Sequence, residues 1–443
     1  MGAITPPVHR TLQGDSMKRR TFLAIPVLSV AAMLAPVSIA AVSVATGALP
    51  QTAANRPVLL RTRPKLSEIR LEVELFQQAS LDGRSGTVTL NGNTPQSTNV
   101  NTTPTYQAAG VSLGVPVLVR TSWCDTDFTK YVARATVDGL DAATDPSKIF
   151  TRMPGTAEAT LKYEVPFPRG AAESLLLRTT YQVQRWELDV DERAAATATW
   201  PREWPSGVDR FLKQEAGIDP TIKALQAVAE GATPGGSRSV SPFVAARNTV
   251  VAISKGWKFA NSGTSIYGQK GALRGINFTD SGIWGIEAGG GTPVELAATC
   301  VAGVRSLGIP SRVVYCLTQR GRARDRDSKG AAAEFRFVCE FFLPNIGWIP
   351  FDPMIVRQNA ATTQATGMVK GFANVEDLVT TLPLAFRTVA DGYEKADRYA
   401  LWGWKGNVTV NADRAVSRIG FDASGRGNGK IPQMPAPVSD ETP

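Results

Sequence analysis

Between residues 66 and 196 apolar positions alternate with polar ones, or run together, in short segments. They are Ile69–Leu75, Thr87–Leu90, Val115–Thr121, Tyr131–Val137, Thr160–Val165 and Leu175–Val190, set apart by Gly, Asn, Asp and Pro. A period of two in residues that suit a pleated surface predicts strands with one buried face. Strands at this spacing predict an antiparallel, sandwich-like domain over residues 66–196. The polar stretch Asn91–Thr105 reads as a loop, and Trp123 and Trp186 read as core aromatics. Nothing in this region looks like chemistry.

At Trp200–Pro205 (WPREWP) the period changes, and Phe211–Glu230 and Pro242–Ser254 carry apolar residues at helical spacing around a Gly231–Ser241 loop. A polar, Gly-rich run from Asn261 ends in Gly289-Gly290-Gly291, without the Lys and Ser/Thr of a phosphate-binding loop. Thr292-Pro293-Val294-Glu295 then combines a capping hydroxyl, a proline suited to the first helical position and a Glu placed to close a capping box. The helix begins at Pro293, turns Leu296, Cys300, Val304 and Leu307 to the core, and stops at Gly308-Ile309-Pro310. Strands are expected at Arg312–Leu317, Glu334–Leu343 and Trp348–Phe351, the last running into Asp352-Pro353. A helix and a strand, Trp402–Val410, should follow, and Ser424–Pro443 reads as a disordered tail.

At 443 residues the chain is too long for one ordinary core, and 43% hydrophobic with 20% charged residues is a globular composition. The expected division is 1–50 an export signal, 66–196 the β-rich domain, 200–360 a second α+β domain and 361–443 an extension. Met17-Lys18-Arg19-Arg20-Thr21-Phe22-Leu23 opens a long apolar stretch, the layout of a bacterial twin-arginine signal with its start at Met17. The expected location is therefore periplasmic or secreted, with an N-terminal membrane anchor only if the signal stays uncleaved. The single histidine, His9, lies upstream of that signal.

The formal charge is +9, of which +6 remains beyond residue 50. Its main clusters, Arg56–Arg70 and Arg320–Lys329, read as a solvated linker and a solvated loop. No nucleic-acid motif accompanies them. The cysteines Cys124, Cys300, Cys316 and Cys339 are too scattered for a zinc site or a disulfide scaffold. Buried thiols are expected, with Cys316 and Cys339 on neighbouring strands as the alternative disulfide pair. No metal and no cofactor is called for.

Two segments resemble the transglutaminase-like superfamily, whose fold is that of cysteine proteases. The family's helix signature, Gly-x-Cys followed by an acidic residue and closed by Gly-Ile-Pro-x-Arg, aligns without gaps on Gly291–Val314. Its strand signature, His-Ala-Trp running into Gly-Trp-x-Pro-x-Asp-Pro, aligns without gaps on Arg336–Pro353. The resemblance implies an α+β core of papain-like type behind the β-sandwich, and a Cys-His-Asp triad in active members. Pro293 stands at the thiol position, Arg336 at the histidine position, and Asp352 at the aspartate position.

Proline has no nucleophilic atom, and a guanidinium only donates, so neither can play its triad part. An Arg336–Asp352 ion pair is expected in place of the His-Asp hydrogen bond. The implied function is an inactive exported module that binds a peptide, protein or cell-wall component. The alternative is a thiol peptidase or acyltransferase with a displaced nucleophile, for which Cys300 is the low-ranked candidate.

Overall fold

Alternation becomes register in the first half of the chain. The computed structural model describes residues 57–76, 110–145, 149–167, 174–259, 265–267, 273–276, 290–319, 333–360, 368–387, 401, 403–405, 417–425 and 434–435. The export segment, Thr87–Leu90, Asn91–Thr105 and Arg320–Lys329 lie outside the described residues. The first eight strands are β1 (Leu59–Phe76), β2 (Gly110–Leu118), β3 (Arg120–Thr121), β4 (Cys124–Val137), β5 (Leu140–Ala142), β6 (Phe150–Arg152), β7 (Glu158–Pro166) and β8 (Ser174–Val190). Helices α1 (Glu192–Ala195), α2 (Lys223–Gly231) and α3 (Pro242–Gly256) follow, then short strands β9 (Lys258–Phe259), β10 (Ser265–Tyr267), β11 (Leu273–Ile276) and β12 (Gly290–Gly291). The central element is α4 (Pro293–Ser306), followed by β13 (Ser311–Gln319), β14 (Ala333–Leu343), β15 (Gly347–Phe351) and α5 (Pro353–Asn359). The chain closes with β16 (Thr381–Ala385), β17 (Gly403–Lys405), β18 (Ser417–Gly425) and β19 (Met434–Pro435). The architecture is α+β, with antiparallel sheets.

One sheet runs β18-β1-β8-β4-β3, with β19 also on β1 and β5 on β4, and a second runs β17-β2-β7-β6. Phe128 of β4 stacks on Phe150 of β6 at 4.6 Å and meets Tyr181 of β8 at a tilt, at 4.8 Å between ring centroids, so the sheets face each other. Every second residue of β8 from Leu175 to Arg185 points into that interior.

Three expectations need correcting. The basic stretch Arg56–Arg70 is no linker, because β1 starts at Leu59 and Arg61 is 2% exposed. A register shift between Thr62 and Lys65, with Arg63 at φ 47°, turns the strand there. Arg61 thereby reaches the carbonyls of Thr121 and Ser122 at 2.7 and 2.8 Å and Asp125 at 2.7 Å, over the Trp186 ring. Phe211–Glu230 is not one helix. Gly217 at φ 91° and Pro220 separate a short 3-10 turn, Asp209–Leu212, from α2. Finally, Ser424, Gly425, Met434 and Pro435, placed in the expected tail, are strand residues paired with β1, whose exposed edge supplies backbone partners.

The core sheet runs β15-β14-β13-β16. One face takes α3 and α4: Phe341 meets Phe243 at 6.1 Å, and Cys339 Sγ donates to the Ala297 carbonyl at 3.7 Å. The helices approach closely at Gly303, where a Cβ would lie 2.6 Å from Ile253 Cδ1. The other face meets the β-rich half, where Ser122 Oγ donates to Glu340 Oε1 at 2.6 Å.

Candidate functional site

The N-terminus of α4 is built as the sequence implies. Thr292 is the N-cap, Pro293 occupies the first turn, and Glu295 Oε2 accepts from Thr292 N at 2.6 Å. Gly290, paired with Lys258 in a short parallel bridge, has no room for a side chain, because a Cβ would run into the Lys258 carbonyl. Trp257 Nε1 donates to the Gly291 carbonyl at 3.3 Å. Thr292, Pro293 and Glu295 are all buried. A free N-terminus of a helix favours a thiolate, but proline puts no sulfur there.

Arg336 lies near the start of β14, directly across from Cys316 on β13. Its Nε donates to Asp352 Oδ2 at 3.1 Å, so the expected ion pair is present. Nη1 donates to Thr381 Oγ1 at 3.0 Å and Nη2 to the Glu376 carbonyl at 3.0 Å, with a longer contact from Nη1 to the Asp377 carbonyl at 3.5 Å. The guanidinium thus fastens a segment to the sheet: Gly371–Thr380, whose Ala373 and Asp377 adopt φ of 62° and 64°. That segment is also tied to the β-rich half, since Asn374 Oδ1 accepts from Val190 N at 3.2 Å and Asn374 Nδ2 donates to Glu192 at 3.0 Å.

Asp352 divides its two oxygens. While Oδ2 takes Arg336, Oδ1 caps α5 by accepting from Met354 N and Ile355 N at 3.0 and 3.3 Å. The structure therefore brings Arg336 and Asp352 together. Every polar contact of Arg336 among the described residues goes to Asp352 or to residues 376–381, and none to the helix that carries Pro293.

All four cysteines are free and buried. The alternative Cys316–Cys339 disulfide does not form, because register pairs Cys316 with Arg336 and Cys339 with Val313. An offset of three along a strand puts the two side chains on opposite faces. Cys300 sits two turns below Pro293 with its sulfur 3.8 Å from Ser254 Oγ, and burial pushes its thiol up to about 12. Burial likewise pushes Cys124 up to about 12 and Cys316 and Cys339 well above the usual thiol range. None offers a thiolate near neutral pH. No three His, Cys, Asp or Glu side chains among the described residues gather as metal ligands.

The transglutaminase-like superfamily profile matches residues 274–353, the span that holds β12, α4 and β13 to β15. Residues 274–353 are a transglutaminase-like domain. No curated protein matches the chain in sequence. Among solved structures, the chain is similar to a candidate cysteine protease from Cytophaga hutchinsonii at 12% identity and a TM-score of 0.46, over 84% of this chain and 95% of that one. A candidate protease from Parabacteroides distasonis matches at 12% identity and a TM-score of 0.21, over 74% of this chain and 63% of that one.

Reading the sequence alone missed two features around the transglutaminase-like domain. The Gly371–Thr380 segment lies outside both family signatures. The buried pair Arg312–Glu340, 2.6 Å apart, joins β13 to β14 beneath Ser122, and the Arg312 guanidinium lies over Trp348 and Phe386 at 3.8 and 3.7 Å. Strand alternation puts Glu340 on one face with Arg336 but does not show which partner that face meets.

Proposed function

We propose that the chain is an exported, catalytically inactive transglutaminase-like protein that serves as a binding or structural module in a bacterial cell envelope. One observation carries the reading. At the two positions where the family's chemistry needs a nucleophile and a base stand Pro293, seated in the first turn of α4, and Arg336, with its guanidinium committed to Asp352 and the 376–381 backbone. Arginine stays protonated and has no acceptor, so it takes no proton from a thiol or a water. The export half of the proposal rests on the Arg19-Arg20-Thr21-Phe22-Leu23 pattern and the apolar run behind it. Among the described residues no helix is long and apolar enough to cross a membrane. The envelope ligand is a peptide, a protein or a wall polymer.

The competing reading is a thiol peptidase or acyltransferase with a displaced nucleophile, and Cys300 is its candidate. Its burial and its strongly raised pKa weigh against it. The deciding experiment incubates the full chain with a thiol-reactive probe, and separately with peptide and amine-donor substrates. The expected result is no labelling of Cys300 under native conditions and no turnover. Turnover that disappears in Cys300→Ala would overturn the proposal. As a positive control, the same probe should label all four cysteines once the chain is unfolded.

A further inference from the structure

Buried arginines in this chain follow a rule with an exception. Among the described residues Arg61, Arg185, Arg305 and Arg312 are 2%, 1%, 3% and 0% exposed. Arg61 pairs with Asp125, Arg305 with Glu215 and Arg312 with Glu340. Among the described residues no carboxylate pairs with Arg185. Its Nη2 donates to the neutral Ser67 hydroxyl at 2.9 Å, and its Nε and Nη1 have no partner at all. A desolvated guanidinium without a counter-charge is among the costliest groups a fold can carry, and burial does pull the Arg185 pKa down.

Register shows what surrounds it. Lys65 of β1 and Cys124 of β4 stand opposite Arg185 on its two sides, and Thr121 of β3 stands opposite Cys124. The inner face of the first sheet thus carries a row of Thr121, Cys124, Arg185 and Lys65. Nothing in that row is negative: burial pushes the Cys124 thiol up to about 12 and raises the nearby Tyr181 phenol as well. Lys65 adds a second cation and is itself pulled down, by burial first and then by Arg185. Thr121 Oγ1 and Trp123 Nε1, on residues in or beside the row, are buried without partners. The row therefore holds two cations and no negative charge to match them. Only an anion balances such a set. Lys65, partly exposed, marks the open end.

We propose that this row is a binding site for a small inorganic anion, held by the Arg185 guanidinium inside the β-sandwich with Lys65 at its mouth. The test measures thermal unfolding of the full chain in gluconate, chloride and sulfate at matched ionic strength. Chloride or sulfate should raise the midpoint saturably, by roughly 2 °C or more at saturation, and the more effective of the two identifies the anion's shape. Arg185→Met should abolish the response and be no less stable than the parent in gluconate, since the uncompensated charge is gone. Lys65→Met, at the partly exposed end, should fold normally and weaken the anion's apparent affinity about tenfold. Crystals grown in bromide should show anomalous density at Arg185.

A response that is unchanged in Arg185→Met would mark a general salt effect and overturn the proposal. So would no response in the parent chain, or bromide crystals with no ion at Arg185. If Arg185→Met does not fold, Lys65→Met and the bromide density decide.

Discussion

Two arginine–carboxylate pairs use the same face of strand β14, four residues apart, and they are built for different ends. Arg312–Glu340 is sealed, with side chains 1% and 0% exposed, and it takes a hydroxyl from Ser122 in the β-rich half. Arg336–Asp352 sits toward the sheet's end at 17% and 5%, and it fastens the Gly371–Thr380 segment as well as an α5 cap. The inner pair joins two halves of the molecule. The outer one lies within the residues that match the transglutaminase-like family, and it holds backbone in place. The same charged chemistry thus makes a joint where it is dry and a clamp where it meets the surface.

The comparison can be broken in graded steps. Glu340→Gln leaves Arg312 buried without a counter-charge and should cost about 3–5 kcal/mol in chemical denaturation. Arg336→Met removes a partly exposed clamp and should cost less, about 1–3 kcal/mol, with faster proteolysis between residues 371 and 381. Equal losses in the two variants would show that the outer pair is as much a joint as the inner one.

Alkaline pH tests the burial that both pairs share with Cys316 and Cys339. The unfolded thiols ionise near 9 and the folded ones only far higher, with Cys300 and Cys124 at about 12. The folded pKa is raised, so the stability these thiols contribute is fully present below about pH 9 and is lost as pH climbs toward 12. Each thiol should remove about 1.4 kcal/mol per pH unit in that window. A flat unfolding midpoint between pH 9 and 11 would mean that the thiols are less buried than described. The smallest effect belongs to Pro293→Ala, which keeps the Glu295 cap and should cost under about 1 kcal/mol.

How much of this was legible depended on how local the cause was. The start of α4 is written in four consecutive residues, Thr292 to Glu295, because a helix cap is satisfied within one turn. Arg336 meeting Asp352 could be anticipated because both sit in one ungapped signature on neighbouring strands. The inward parity of Arg185 is also legible, since it falls in step with Leu175, Leu177, Tyr181 and Val183, but parity alone does not show whether a carboxylate meets it. Arg61 could not be placed, because the bulge at Thr62–Lys65 reverses which residues of β1 face inward.

The sequence by itself determined long strands of the β-rich half such as β7 and β8, and the cap and face of α4. These follow from periodicity, capping and side-chain chemistry, which act over a few residues. Only the tertiary structure decided the rest: that Cys316 and Cys339 lie on opposite faces, that Gly371–Thr380 is strapped to Arg336, that the last strands return to β1, and that Arg185 alone among the buried arginines described has no carboxylate. Each depends on register or on contacts between segments far apart in sequence. Such contacts are set by how whole faces fill space against one another, and no local pattern encodes that.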